Sequence, residues 1–247
     1  MAELLKSQPE RPPYFRRMEQ VNLDGVPLLG AKAAMPVLDM LSPAAFEAVI
    51  EKALGDVQIL DTRQELGFAA AHIPNALSIW QDGLASFAGW FLSYTSPILL
   101  VTEKHDADAT VRTLIRQGYD NIAGCLAGGM LSWHMSGRSS AAIRTLTVQD
   151  LCSLLDQGEH LWILDVRSAG ELERDGQITG ATHIHITQIS LRSQEVPKDR
   201  TVYVFCGSGM RSMIAASYLQ SRGWSDLVVI LGGMSGWRSR RCPLRRS

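Results

Sequence analysis

The stretch LWILDVRSAGELERDGQITGATHI, residues 161–184, has a counterpart earlier in the same chain. VQILDTRQELGFAAAHIPNALSI, residues 57–79, has the same succession of an apolar run, an Asp-x-Arg triplet, a mixed segment and a second apolar run. Two stretches that share this order indicate an internal repeat, and a repeat decides the architecture before any single motif does.

A second pair of segments extends the match over whole domains. GGMLSWHMSG at 128–137 corresponds to GGMSGWRSR at 232–240. The tryptophans of this pair are as far apart as the aspartates of the two Asp-x-Arg triplets, so the two copies are collinear. We therefore expect two tandem domains of one fold.

Each copy alternates predicted helices and strands. Ser42 and Thr147 are predicted helix N-caps, and the apolar runs that end at Asp61 and Asp165 are predicted buried strands. Further strands are predicted at 75–79, 98–101, 181–186 and 201–205. This alternation predicts an α/β fold in which each domain is a mainly parallel sheet with helices on both faces.

The sequence predicts four parts. Residues 1–35 are proline-rich and are expected to form an extended arm. Residues 36–138 and 139–240 are the two predicted domains, joined through a linker of small residues, and 241–247 are a basic tail.

The composition is that of a globular chain. The 247 residues are 46% hydrophobic and 20% charged, and their formal net charge of −1 gives no general attraction to nucleic acid or to an anionic membrane. The N-terminal segment lacks the apolar core of a secretory signal, and the apolar stretch at 88–101 is interrupted by polar residues and a proline. We expect a cytoplasmic protein that binds neither nucleic acid nor membrane.

The segment VYVFCGSGMRS, residues 202–212, places Cys206 where an apolar strand meets glycines. The carboxyl end of a parallel strand faces the crevice in which such folds bind ligands. Gly207 and Gly209 allow backbone N–H groups to turn inward around an anion, and a helix that begins near Arg211 adds its positive end. These features favour a reactive thiolate over the alternative, a buried structural cysteine.

The spacing from Cys206 to Arg211 separates two enzyme classes. Cysteine phosphatases have a similar loop, but with five residues between cysteine and arginine, whereas this chain has four. The shorter loop, the apolar strand before it, the ILDVR strand and the GGMSGW segment together resemble the rhodanese family of sulfurtransferases. The resemblance covers residues 36–240 as two tandem domains.

This resemblance implies a ping-pong sulfur transfer that needs no metal or organic cofactor. The Cys206 thiolate would take the outer sulfur of thiosulfate or of a persulfide and pass it, from a Cys206 persulfide, to a thiol or to cyanide. Arg211 would orient the loop or attract the anionic donor. The implied substrate-binding residues are Gly207, Ser208, Gly209, Met210, Arg211 and Ser212. A sulfur carrier or sensing module that is not an enzyme would use the same persulfide.

The first copy lacks these residues. Alignment places Thr102 opposite Cys206, and the segment after it has no glycine but includes Glu103, Asp106 and Asp108. Acidic side chains repel an anionic substrate. We expect the first domain to be catalytically inactive, with a structural or docking role.

The other polar candidates are assigned structural roles. The aspartate and arginine of each Asp-x-Arg triplet are expected to form hydrogen bonds near strand ends. His183 and His185 lack the further ligands of a metal site, so no metal is expected. The remaining cysteines are expected to be free thiols, with Cys125 and Cys152 in the core and Cys242 in the tail.

The segment SQPERPPYFRRMEQVN, residues 7–22, adds one further resemblance. Followed by tandem domains, it is similar to the C-terminal part of metallo-β-lactamase-fold proteins that act on persulfides. Their zinc motif, HxHxDH, is absent from this chain. The resemblance implies a separate metallo-β-lactamase-fold partner; small sulfur donors, thiol acceptors and a second copy of the chain complete the expected partners.

Overall fold

The structure, a computed structural model, describes residues 11–25, 38–103 and 107–240, with the side chain of residue 240 excepted. Its strands form two five-stranded sheets in which paired strands run parallel. The first sheet contains β1 (Met40–Leu41), β2 (Gln58–Asp61), β3 (Leu77–Ser78), β4 (Ile98–Val101) and β5 (Ile122–Leu126). The second contains β6 (Arg144–Thr147), β7 (Trp162–Asp165), β8 (Thr182–His183), β9 (Val202–Phe205) and β10 (Leu227–Leu231).

Helices connect these strands, because parallel neighbours need crossover connections. In and before the first sheet they are α1 (Tyr14–Asp24), α2 (Pro43–Lys52), α3 (Glu65–Ala70), α4 (Leu84–Phe91), α5 (Ala107–Arg116) and α6 (Gly129–Met135). In the second they are α7 (Val148–Asp156), α8 (Ala169–Asp175), α9 (Ile189–Arg192), α10 (Met210–Ser221) and α11 (Gly233–Arg240). Short 3-10 turns span Gln81–Gly83, Ile186–Gln188 and Ser193–Glu195.

The two sheets have equivalent strand orders, β1-β5-β4-β2-β3 and β6-β10-β9-β7-β8. Their registers also agree, since Asp61 pairs with Val101 in the first sheet as Asp165 pairs with Phe205 in the second. The predicted fold class, two tandem α/β units with parallel sheets and flanking helices, is confirmed. The edge strands β1 and β6 were not predicted, because neither contains a long apolar run.

The predicted N-caps begin their helices. Ser42 Oγ accepts a hydrogen bond from the Ala45 N–H at 3.3 Å, and Thr147 Oγ1 accepts one from the Asp150 N–H at 3.2 Å. Each bond satisfies a backbone donor that the first turn of α2 or α7 leaves without an intrahelical partner.

The predicted extended arm is wrong for the residues of α1. Residues 14–24 contain neither glycine nor proline, and Pro13 stands at the N-cap, where its fixed φ and missing N–H are tolerated. The prolines therefore mark the start of a helix rather than an extended segment. The Tyr14 ring packs against Gly89 of α4, and the Arg17 guanidinium lies 5.7 Å from the centre of the Tyr94 ring.

One hydrophobic cluster contains buried side chains from both sheets, among them Leu60 and Val204. Helix α10 of the second sheet contacts the edge strand β3 of the first, where the Ser78 N–H donates to Ser217 Oγ at 3.0 Å. Both serines are almost completely buried. The helix that follows Cys206 is therefore packed between the two sheets.

The cysteines differ in state. Cys125 and Cys206 are free and buried. Cys152 is also buried, but it is disulfide-bonded, so the expectation of a free thiol is wrong there. Cys242 and the basic tail lie outside the described residues.

The described helices are all too short or too polar to cross a membrane. The cytoplasmic location stays a prediction.

Candidate active site

Cys206 lies at the carboxyl end of β9, the central strand of the second sheet. The end of β9 is fixed from the neighbouring strand β7, because the N–H of Val166, the residue after β7, donates to the Phe205 carbonyl at 2.9 Å. The side chain of Cys206 is fully buried. The thiol is therefore placed by the middle of the sheet rather than by a mobile edge.

The loop after Cys206 directs a backbone donor at the sulfur. The Gly209 N–H donates to Cys206 Sγ at 3.1 Å. Gly209 has φ +125°, a conformation that a residue with a side chain rarely adopts. It is also the N-cap of α10, which has no side-chain cap, so the positive end of the helix points into the loop. A backbone N–H and a helix N-terminus are both groups that bind anions.

The N-terminal turn of α11 holds the carbonyl groups of the same loop. The Met234 N–H donates to the Cys206 carbonyl at 2.9 Å, and the Ser235 N–H donates to the Gly207 carbonyl at 3.1 Å. The Gly232 N–H donates to the carbonyl of Ser208 at 2.7 Å. These three hydrogen bonds fix the loop in the conformation that directs the Gly209 N–H at the sulfur. The repeated Gly-Gly-Met segment was the sequence signal for this contact, but its role was not predicted.

Arg211 is held by a carboxylate that sequence reasoning missed. Its Nη1 donates to Glu171 Oε2 at 2.7 Å and its Nη2 donates to Glu171 Oε1 at 2.6 Å. The hydrogen bonds from Arg211 lower the pKa of Glu171 to about 2, and those bonds likewise raise the pKa of Arg211. The two-pronged ion pair fixes the arginine beside the loop.

Glu171 is positioned by the start of α8. Ser168 Oγ accepts from the Glu171 N–H at 3.3 Å, and the Ser168 N–H donates to Glu171 Oε2 at 2.9 Å. These reciprocal bonds form a capping box. The Ser-x-x-Glu spacing at 168–171 could have predicted the cap, but nothing in the sequence pairs it with a residue forty positions later.

The predicted substrate-binding residues form one continuous segment around the sulfur. Ser208 is exposed, Gly207, Met210 and Arg211 are partly buried, and Gly209 and Ser212 are buried. Ser212 Oγ has no hydrogen-bond partner in the described part of the chain.

Comparison with known proteins places this site in a family. The family model described as rhodanese-like domain matches residues 42–136 and 147–240. The chain belongs to the rhodanese-like family. Each matched segment contains four of the five strands of one parallel sheet, and the remaining strand, β1 or β6, lies at the start of the segment or just before it. Each sheet is therefore the core of one rhodanese-like domain.

Similar proteins match the chain over about one domain. A sulfurtransferase of Allochromatium vinosum is 29% identical over 102 residues, which are 41% of this chain and 94% of that protein. A putative sulfur carrier protein of Bacillus subtilis, YrkF, is 29% identical over 105 residues, 42% of this chain and 56% of that protein. A solved rhodanese-like domain protein from Staphylococcus aureus is 29% identical, covers 38% of this chain and 91% of its own, and has a TM-score of 0.36.

The first rhodanese-like domain has threonine at the position of the thiol. Because Val101 and Phe205 have equivalent registers, Thr102 follows β4 as Cys206 follows β9. Thr102 Oγ1 lies 3.7 Å from Cys125 Sγ. Burial raises the pKa of Cys125, so this thiol is unsuited to replace the missing nucleophile. Residues 104–106, which include Asp106, lie outside the described residues.

Both rhodanese-like domains contain a buried Asp-x-Arg ion pair, as predicted. Arg63 donates to Asp61 and Arg167 donates to Asp165, with shortest N–O distances of 2.7 Å and 2.6 Å. Arg63 Nη2 and Arg167 Nη2 also donate to the backbone carbonyls of Ala71 and Gly176, so the pairs tie strand ends to the following segments. They are structural contacts.

The predicted histidines lie beside the second ion pair. His183 Nε2 contacts the Arg167 carbonyl at 2.7 Å, and His185 Nδ1 contacts Thr187 Oγ1 at 2.8 Å. In the described ranges no three His, Cys, Asp or Glu side chains are grouped as metal ligands.

Proposed function

We propose that the chain is a sulfurtransferase that moves sulfane sulfur from thiosulfate or a persulfide to a thiol or cyanide through a persulfide on Cys206. The observation that carries this proposal is the 3.1 Å hydrogen bond from the Gly209 N–H to Cys206 Sγ. The loop that makes this bond is held by hydrogen bonds from the start of α11 to its carbonyls. The sulfurtransferase named among the similar proteins supports the reaction class.

The geometry supports both halves of such a reaction. In the first, the Cys206 thiolate attacks the outer sulfur of the donor, a new S–S bond forms, and the donor's remaining group leaves with the electron pair of the broken bond. In the second, an acceptor thiolate or cyanide attacks the outer sulfur and Cys206 leaves as a thiolate. The loop N–H groups and the N-terminus of α10 lower the energy of the anionic sulfur in both steps.

The burial of Cys206 restricts the donor. Because the side chain is fully buried, sulfur transfer requires a donor whose reacting sulfur is terminal and narrow, or an opening of the loop. Thiosulfate and persulfides both carry a terminal sulfur.

Intact-protein mass spectrometry tests the proposal. After exposure to thiosulfate, and separately to glutathione persulfide, we expect the wild-type chain to gain one sulfur atom and Cys206→Ala to gain none. Cys125→Ala is the matched control, because Cys125 is a second free and buried thiol among the described residues. That variant should load like wild type. Unchanged loading in a folded Cys206→Ala variant would refute the proposal.

A sulfur carrier that passes the Cys206 persulfide only to a specific protein is the second candidate. It is favoured by the similarity to the putative sulfur carrier of Bacillus subtilis. Steady turnover with cyanide, glutathione or dithiothreitol as the acceptor would exclude it. Loading of Cys206 without turnover would favour it over the enzyme.

The expected partner stays a proposal that rests on residues 7–22 alone. Those residues resemble the segment before the tandem domains of metallo-β-lactamase-fold proteins, and part of them forms α1. Co-purification of the chain with a zinc- or iron-dependent enzyme of that fold would support the partnership. Homodimerisation likewise stays a prediction, which light scattering at two protein concentrations would test.

A further inference from the structure

The positive charge of Arg211, beside the loop after Cys206, is neutralised by a carboxylate of the same chain. Arg211 donates through both terminal nitrogens to the two oxygens of Glu171, and about one fifth of each side chain is exposed. The hydrogen bonds from Arg211 keep the pKa of Glu171 near 2, so the carboxylate is charged at any pH at which the chain would work. An arginine engaged in this way has little charge left to attract an anion.

The ion pair lies directly against the loop. A side-chain carbon built on Gly207, the residue after Cys206, would be 2.9 Å from Arg211 Nη2 and 3.7 Å from Glu171 Oε1. The ion pair is therefore in van der Waals contact with the backbone of the loop. A donor attached at the sulfur would be close to the carboxylate as well as to the guanidinium.

The other charged groups that act on this ion pair have partners of their own. Arg174 acts on Glu171 and is paired with Asp175. Besides Glu171 and Cys206, the charged group of the described residues that acts on Arg211 is Asp165. Asp165 is paired with Arg167, and both side chains are fully buried. The groups of the loop that can hold an anion include the Gly209 N–H and the N-terminus of α10. These suit one negative charge localised on the sulfur.

The fold itself does not require a carboxylate at this position. In the first domain the corresponding residue is Gly67, whose carbonyl accepts a hydrogen bond from Arg63 at 3.2 Å. Gly67 lies in α3, which begins at Glu65 without a side-chain cap. Glu171 is therefore a feature of the copy that has the thiol.

We propose that Glu171 determines donor choice at Cys206: paired with Arg211, it disfavours the dianion thiosulfate and leaves a site suited to persulfides of organic thiols. This proposal rests on the proposed sulfurtransferase function. With a protonated persulfide, the Cys206 thiolate bonds to the outer sulfur, which keeps its proton, and the organic thiolate leaves with the electrons of the broken S–S bond. With thiosulfate, the leaving group is sulfite, which carries two negative charges past the carboxylate.

Replacing Glu171 by glutamine isolates its charge. Glutamine also forms capping boxes, so Glu171→Gln keeps the start of α8 while it frees the charge of Arg211. Glu173→Gln is the matched control, because it removes one negative charge from the exposed face of the same helix. For each protein, kcat and KM would be measured with thiosulfate and with glutathione persulfide, at low and high salt.

We expect Glu171→Gln to raise the ratio of kcat/KM for thiosulfate to that for the persulfide by about tenfold, mainly through a lower KM for thiosulfate. The gain should shrink at high salt, because the freed guanidinium is partly exposed. Glu173→Gln should change the ratio less than about twofold. A merely structural role for Glu171 would lower both activities together and leave the ratio unchanged.

Two results would overturn the proposal. One is an unchanged donor ratio in a folded Glu171→Gln variant that still gains one sulfur on Cys206. The other needs no variant: a wild-type kcat/KM for thiosulfate that falls steeply with salt would show that the site attracts the dianion. Absence of sulfur on Cys206 with either donor would instead refute the proposed function, so the two failures are distinguishable.

Discussion

Gly233, the first residue of α11, lies in close contact with the loop that follows β9. A side-chain carbon at Gly233 would overlap the Cys206 carbonyl oxygen and lie 2.6 Å from the carbonyl carbon of Gly207. The equivalent Gly129 of the first domain has a similar positive φ, but the nearest atom to its added carbon is the Thr102 carbonyl oxygen at 3.6 Å. The close approach is therefore specific to the domain with the thiol.

This contrast gives a prediction with a built-in control. Gly233→Ala should abolish sulfur loading of Cys206 and lower the melting temperature, because the alanine displaces the loop. Gly129→Ala carries a similar backbone strain, about 1 kcal/mol, and should load normally. Mass spectrometry and thermal unfolding of both variants would check this. Equal loading by the two variants would show that the contact with the loop is unimportant.

The start of α8 and the loop after β9 form one hydrogen-bonded unit. Ser168 and Glu171 cap the helix, and the same carboxylate binds Arg211. The cap therefore loses stability together with the loop when Glu171 is protonated.

The pH dependence of stability should reveal this connection. The folded-state pKa of Glu171 is about 2, below its ordinary value of 4.5, so its contribution is complete above pH 4.5 and is lost as the pH falls through about 2. We expect Glu171→Gln to lower the unfolding free energy by about 2 kcal/mol at neutral pH, and the difference to shrink in acid. Urea unfolding of both proteins across this range measures it. A difference that is constant with pH would contradict the assignment.

The sequence predicted the strands that consist of apolar runs. It did not predict the contacts between residues that are distant in the chain. The runs before Asp61 and Asp165 predicted β2 and β7, and the repeat predicted that Thr102 is the counterpart of Cys206. The Glu171–Arg211 pair and the contacts of α11 join residues distant in the chain, and no local pattern encodes such pairings. Helix α1 was missed because the prolines around it indicated an extended segment.

The first domain supports α10, the helix that follows the Cys206 loop of the second domain. His72 is fully buried in the first domain, and its Nδ1 and Nε2 contact the Phe68 carbonyl at 2.9 Å and Gln220 Oε1 at 2.8 Å. Gln220 Nε2 also donates to the Ala142 carbonyl at 3.0 Å. These bonds and the shared core fix α10 against both sheets.

Loss of this junction should weaken the whole chain. We expect His72→Ala to lower the unfolding free energy by about 2 kcal/mol or more, since it leaves buried polar groups without partners. His160→Ala, at an exposed position, should have almost no effect. Wild-type unfolding should be a single transition because the two domains share a core. Two separate transitions in wild type would show that the domains unfold independently.

The contacts of Gly232, Met234 and Ser235 with the loop have a consequence for the order of synthesis. The segment that fixes the carbonyls of the loop is translated after Cys206 and after all ten strands of the two sheets. A chain that ends before Gly232 should therefore hold Cys206 in a loop that lacks these three hydrogen bonds. The backbone contacts around the thiol are completed only after the strands of both sheets have been synthesised.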